Sequence, residues 1–331
     1  MPTAKTGPVR LNMLPESPMN EKRFDVVALG EAMLEFNQTQ PGQPNYFQGY
    51  GGDTSNAVIA AARAGASTAY LSRLGDDWFG GQLRALWANE GVDASAIETD
   101  PVHSTGIYFV THGSDGHRFS YLRAGSAASA MTPDWLPRAI VRQARILHAS
   151  GISLALSSSA QDTVLAAMQV ARASQTLVSF DSNLRLKLWP LERARSVIGE
   201  AVGLCDIFLP SQEDMETLIG RREPEAILDW SHRQGAKTVV LKLGAHGCMV
   251  SDGHRREVLA GRQVPLVDAT GAGDCFCGNF LARLAAGASV FDAARFANVA
   301  ASLAVQGFGA VAPLPRLAAV QAALAADDAA A

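Results

Sequence analysis

The chain has 331 residues, 48% apolar and 18% charged, which allows one large domain or two with an ample core and reads as soluble and globular. A formal net charge of −4 gives no general attraction to nucleic acid or to an anionic membrane, so neither is an expected partner and any anionic ligand needs local positive groups. No stretch approaches the length of apolar run that a membrane-spanning helix requires.

In chain order, residues 1–23 carry Pro2, Pro8, Pro15 and Pro18 without an apolar core and are expected as a disordered extension, not a signal peptide. From Phe24 onward, β-branched runs alternate with helix-like runs. Strands are predicted at Phe24–Gly30, Thr68–Leu74, Ile146–Ser150, Leu177–Asp181, Ile207–Pro210 and Thr238–Leu243. Helices are predicted at Asn56–Ala64, Gly80–Glu90, Ala160–Ala173, Leu191–Val202, Pro224–Gln234 and Cys275–Ala286. This alternation predicts an α/β domain over 24–331, with a mostly parallel sheet, helices on both faces and ligands at the carboxyl ends of the strands. Two segments break the pattern. Ala32–Gln48 lacks a helical period, and Gly106–Val110 and Arg118–Arg123 flank the hairpin signal Gly113-Ser114-Asp115-Gly116. Together they predict a small antiparallel sheet over about 32–50 and 104–123, or an extension of the main sheet's edge.

Four cysteines, Cys205, Cys248, Cys275 and Cys277, make no disulfide framework in a chain this long, and reduced core thiols in a cytoplasmic protein are expected. Cys275 and Cys277 would point to different faces of a helix and suit neither a bridge nor a zinc pair. His148, inside an apolar run, is expected to be a hydrogen-bonded core residue.

The densest chemistry lies at Asp268-Ala269-Thr270-Gly271-Ala272-Gly273-Asp274. A glycine turn entering a helix presents unpaired amides and the positive end of the helix dipole to an anion, phosphate above all. Asp274, in the first helical turn, is placed to take a proton from a hydroxyl attacking a phosphoryl group held there. A capped helix start, with Asp274 only complementing the dipole, is the competing reading. No Lys-Ser or Lys-Thr follows the glycines, so this is not a Walker A loop, and no dinucleotide fingerprint follows the first strand. Upstream, Gly51-Gly52-Asp53-Thr54-Ser55-Asn56 either caps a helix or offers Gly52, Asp53 and Asn56 to sugar hydroxyls. Arg123 and Arg185 each follow a strand; either alone could simply form a surface salt bridge, whereas two guanidiniums suit a carboxylate through paired charge-assisted hydrogen bonds.

The heptapeptide resembles the C-terminal signature D-T-x-G-A-G-D of the ribokinase, or phosphofructokinase-B, family of sugar kinases, departing from it at Ala269. Gly51–Gly65 resembles the family's N-terminal signature, and the likeness extends from about Phe24 to Pro315. Tyr121–Ala128 and Asp181–Trp189 are similar to segments of the family's 2-keto-3-deoxygluconate kinases. The resemblance implies a ribokinase-like fold whose small sheet is a lid over the sugar. It implies ATP and Mg²⁺, with Asp274 as base and Gly271, Ala272 and Gly273 supplying amides to the transferred group. Gly52, Asp53, Asn56, Tyr121, Arg123 and Arg185 would contact a sugar acid, with Glu31 a further candidate. Asn183, Arg185, Ser211, Lys242, Gly244, Gly247 and Asn298 would line the nucleotide, with Phe308 and Gly309 walling the adenine. Asp214, where relatives carry Glu, would organise Mg²⁺ through water, with Glu213 as a substitute. Asp268, Thr270 and Gly309 lie where relatives bind a monovalent cation such as K⁺. A neutral-sugar kinase and a sugar-binding regulator that has lost catalysis are the alternatives. A homo-oligomer is expected, with Phe36, Tyr46 and Phe47 suited either to an interface or to closing over substrate.

Overall fold

The computed structural model describes residues 22–113 and 116–330. The proline-rich start and the hairpin tip at Ser114 and Asp115 lie outside them. In chain order the strands are β1 (Phe24–Leu29), β2 (Met33–Gln38), β3 (Tyr46–Gly51), β4 (Thr68–Leu71), β5 (Arg73–Gly75), β6 (Val92–Asp93), β7 (Glu98–Asp100), β8 (Ile107–Gly113), β9 (Gly116–Leu122), β10 (Ala144–Ser150), β11 (Leu177–Asp181), β12 (Ile207–Phe208), β13 (Thr238–Lys242), β14 (Gly247–Ser251) and β15 (Arg256–Ala260). The helices are α1 (Asp53–Arg63), α2 (Trp78–Glu90), α3 (Arg138–Arg142), α4 (Gly151–Ala155), α5 (Ser158–Ala173), α6 (Leu191–Leu204), α7 (Gln212–Ile219), α8 (Pro224–Gln234), α9 (Ala272–Ala285), α10 (Val290–Ala304) and α11 (Leu317–Ala330).

Nine strands form the main sheet in the order β15-β14-β13-β12-β11-β10-β1-β4-β6. Pairing is parallel from β13 through β6, and β14 and β15 extend it as an antiparallel hairpin. Alternation along β1 divides the core between two faces. Val27 and Leu29 pack with α5, α6 and α8, whereas Val26 and Ala28 pack with α1, α9 and α10. This two-sided burial accounts for the nearly unbroken apolar runs that the strands show in the sequence.

The small sheet is separate, in the order β3-β2-β8-β9, and it is mixed where an antiparallel one was expected, because β2 pairs with β8 in parallel between two antiparallel hairpins. The aperiodic Ala32–Gln48 segment supplies β2 and the start of β3, so the edge-extension reading is set aside. The predicted strand Thr68–Leu74 is corrected. It stops at Leu71 in the main sheet, and Arg73–Gly75 leaves to pair with β7. The β14–β15 hairpin, α10 and α11 were not among the elements predicted from periodicity.

Helices α1 and α9 pack closely enough that a Cβ on Gly278 would fall 2.0 Å from the Ala57 carbonyl oxygen. Both helices begin at the cleft described below, so this contact sets the spacing between their first turns. Gly278→Ala should destabilise the fold by about 1–3 kcal/mol, the cost of overpacking a tight contact. Urea unfolding should show a lower midpoint with an unchanged slope.

Candidate active site

A cleft of about 1430 Å³ opens where the carboxyl ends of the central strands meet the small sheet. Gly271, at φ 74°, caps the start of α9 in a left-handed conformation, and a Cβ there would meet Ala310 at 3.0 Å. Glycine is thus required for both angle and space. The opening amides of α9 have no partners within the helix. Asp274 lies in that first turn and lines the cleft.

Asp274 Oδ2 accepts a hydrogen bond of 2.8 Å from Asn56 Nδ2, on α1. Burial raises its pKa to about 7, reinforced by the negative charges of Asp53 and Asp181 and opposed by the Asn56 bond and Lys242. Such a group is a carboxylate poised near neutrality, the range that suits a general base. Asp53 is itself buried and held above its ordinary range by burial; its Oδ2 accepts from Asn183 Nδ2 at 2.8 Å. Asn183 sits at φ +27°, uncommon for a side chain of this size, and this turns the loop after β11 back toward α1. Asp53 and Asn56 therefore spend hydrogen bonds on the site's own framework while still bordering the cleft.

Asp181, at the end of β11, was missed as a site residue although its Asp-Ser-Asn run was noticed. Its Oδ2 takes Lys242 Nζ at 2.6 Å and Cys277 Sγ at 3.3 Å, and its Oδ1 takes the Asn183 amide at 3.2 Å. Burial alone would lower the Lys242 pKa, but Asp181 and Cys277 more than offset it, so the ammonium stays charged. Its Nζ lies 3.5 Å from the point a Cβ on Gly273 would occupy. A buried cation thus underlies the glycine turn. Cys275 and Cys277 are free and buried, as are the other two cysteines. His148 bonds Ser179 Oγ at 3.1 Å, and burial lowers its pKa to about 4, as expected of a core histidine.

On the side of the small sheet, Tyr108, Phe119 and Tyr121 line the cleft with Met33. Tyr108 Oη donates to Glu35, which is buried and shifted upward by burial. Neither residue of this pair was singled out in the sequence; both alternate to the cleft face of their strands, a signal legible only once β2 and β8 are recognised as strands. Phe36, on the other face, stacks on Phe109 at 5.2 Å, whereas Phe47 is 71% exposed. Arg123 borders the cleft but is not a free cation: it forms an ion pair with Glu31. Arg185 is exposed at the rim, and its terminal nitrogen bonds the Leu184 carbonyl oxygen at 2.8 Å.

At the opposite end, Ser211, Lys242, Gly244, Gly247 and Asn298 line the same cleft. Gly247 has φ 94°, and a Cβ there would lie 2.0 Å from the Leu259 carbonyl oxygen. Asn298 Nδ2 donates to the Ala260 carbonyl oxygen at 2.7 Å. Asp214 Oδ2 accepts from Ser182 Oγ at 2.7 Å and the Leu184 amide at 3.2 Å, and Glu213 is exposed beside it. Phe308 is 76% exposed and does not line the cleft, so the expectation that it walls the nucleotide is not met in this arrangement. Asp268, Thr270 and Gly309 do come together. Asp268 Oδ1 accepts from the Thr270 amide and hydroxyl at 2.9 and 2.6 Å, and its Oδ2 accepts from the Gly309 amide at 2.9 Å. Among the described residues no cluster of three or more His, Cys, Asp or Glu is arranged to hold a metal, and no helix is long and apolar enough to cross a membrane.

Comparison with known proteins agrees with this geometry. The family model described as pfkB family carbohydrate kinase matches residues 23–317. A 2-dehydro-3-deoxygluconokinase of Thermoproteus tenax is 35% identical over 310 residues, covering 89% of this chain and 93% of that protein. A probable fructokinase-7 of Arabidopsis thaliana is 32% identical over 313 residues, covering 89% and 91%. The crystal structure of a putative ribokinase II of E. coli in complex with ATP and Mg²⁺ superimposes with a TM-score of 0.84 at 26% identity, covering 91% of this chain and 98% of that one. By the match over residues 23–317, the chain belongs to the pfkB family of carbohydrate kinases.

Proposed function

We propose that this carbohydrate kinase phosphorylates 2-keto-3-deoxygluconate on its terminal hydroxyl at the expense of ATP. The observation that carries the reading is that two arginines, Arg123 and Arg185, border the same cleft as Asp274. A neutral sugar would not call for that pair. The similarity to the Thermoproteus tenax sugar-acid kinase supports it.

In this mechanism Asp274 accepts the proton of the terminal hydroxyl as its oxygen attacks the γ-phosphorus. The new oxygen–phosphorus bond forms as the bond to the β–γ bridging oxygen breaks, and ADP leaves. Amides of the Gly271–Asp274 turn and the Lys242 ammonium stabilise the charge on the transferred group. Mg²⁺ accompanying the ATP phosphates would neutralise further charge, and the Asp214 and Glu213 carboxylates on the cleft wall suit its hydration shell. We assign Asp268, Thr270 and the Gly309 turn to a monovalent cation such as K⁺. Closure of the lid would exclude water that could otherwise take the phosphoryl group.

A second reading, phosphorylation of a neutral sugar, draws on one observation: Arg123 is already neutralised by Glu31. The 32% identity to a probable fructokinase points the same way. A coupled ADP-release assay with Mg-ATP separates the two. The sugar-acid reading predicts higher kcat/KM for 2-keto-3-deoxygluconate than for fructose, ribose or gluconate. Preference for fructose or ribose would refute the carboxylate site and leave Asp274 as base.

Asp274→Asn should lower kcat by about a thousandfold. In the wild type, kcat/KM should fall about tenfold per pH unit below about 7, because the base must be ionised. The stability sign is opposite. The folded carboxyl titrates near 7 and the unfolded one near 4, so wild-type stability falls as pH rises between those values. Asp274→Asn, free of this penalty, should melt no lower than wild type above neutrality. A variant with near-normal turnover would exclude Asp274 as the base.

A further inference from the structure

The lid joins the core at four chain crossings. Glu31 precedes β2, Gly52 follows β3, Gly106 precedes β8 and Arg123 follows β9. Glu31 meets the other three. Its carbonyl oxygen lies 2.3 Å from the point a Cβ on Gly52 would occupy, and its Oε1 lies 2.8 Å from the corresponding point on Gly106. That oxygen also accepts a hydrogen bond from Ser126 Oγ, just beyond β9. The remaining oxygen, Oε2, forms an ion pair with a terminal nitrogen of Arg123. The side chain of Glu31 is 0% exposed and that of Arg123 is 10% exposed. A carboxylate so fully withdrawn from water is tolerable only while its cation stays in place, since breaking such a pair strands a buried charge.

Oε1 of Glu31 is therefore hydrogen-bonded at the hinge, whereas Oε2 is held by the charge of Arg123 without a hydrogen bond. Arg123 is different. A guanidinium carries five donors in a rigid fork, and the pair with Glu31 occupies one terminal nitrogen. Two planar edges of one guanidinium can serve two carboxylates, one fixed and one arriving.

We propose that Glu31 is a positioning residue for the sugar acid: it clamps one edge of Arg123 at the point where all four lid crossings converge, so that the other edge receives the substrate carboxylate. Lid position and carboxylate recognition then form a single event, because moving the hinge moves the fork. The role of Glu31 rests on the sugar-acid reading above and adds to it a residue that acts through Arg123 without touching substrate.

A double-mutant cycle tests this on the full-length enzyme, with 2-keto-3-deoxygluconate and Mg-ATP as substrates. Glu31→Gln keeps the side chain's shape and an acceptor for Ser126 but removes the charge that holds Arg123. It should raise KM for the sugar acid about tenfold, as expected for losing one charge-assisted contact, while KM for ATP stays within about twofold. In an Arg123→Ala background the same substitution should change KM for the sugar acid by less than about twofold, because the group it acts through is gone. An equal fold-change in both backgrounds would overturn the proposal, as would an equal rise in KM for ATP, the mark of a merely structural role. If Glu31→Gln does not fold, Ser126→Ala loosens the same carboxylate without changing charge. It should then give a smaller rise in KM for the sugar acid, again abolished by Arg123→Ala. Wild-type turnover is measured first. Absence of sugar-acid turnover refutes both readings, whereas additivity with turnover intact refutes only the role of Glu31.

Discussion

The site depends on one constraint: several carboxylates are withdrawn from water around very few cations. Asp274, Asp53, Asp181, Asp214 and Glu31 all border one cleft. Placed at random, such a cluster would repel itself and carry a heavy desolvation cost. Here the groups are divided among separate partners. Lys242 neutralises Asp181, Arg123 neutralises Glu31, and neutral donors on Asn183, Ser182 and Asn56 each bond one oxygen of Asp53, Asp214 and Asp274. Asp274 is held by a neutral amide and pressed by the negative charges of Asp53 and Asp181. Burial, reinforced by those two charges, raises its pKa to about 7.

Backbone geometry maintains that division. The tight approach of α9 to α1 at Gly278 brings Asn56 to Asp274 across 218 residues of chain. The left-handed turn at Gly271 starts α9 at the cleft, and the unusual backbone angle of Asn183 carries its amide to Asp53. The same first turns of α1 and α9 that hold Asp274 also border the cleft. Positioning and electrostatics are thus supplied by the same few contacts, as expected where binding geometry lowers the barrier.

Much of this was legible in the sequence, and the gaps have physical causes. The parallel strands announced themselves because burial on both faces leaves near-continuous apolar runs, as in β1, β11 and β13. Gly271 and Asp274 were readable because turn, helix start and anion chemistry coincide within a few residues. The small sheet was harder: β2 and β3 mix polar with apolar residues and show no clean alternation of buried and exposed positions, so only the absence of helical period hinted at them. Pairings between distant segments left no local trace. Nothing near Arg123 reveals that Glu31 neutralises it, and nothing near Lys242 reveals Asp181. Of the residues expected to meet ligands, Asn56 also bonds Asp274 and Asp53 presses on it by charge. Phe308 shows the converse, since its place in a familiar pattern does not bring its ring to the cleft.

The central claim is that the environment of Asp274, and not its identity alone, makes it a base near neutral pH. Titration of its side-chain carboxyl carbon by NMR in the ligand-free protein, assigned by its loss in an Asp274→Asn sample, measures this directly. The account predicts a midpoint of about 7. A midpoint near the ordinary aspartate value of about 4 would contradict it and return Asp274 to the role of a capping charge.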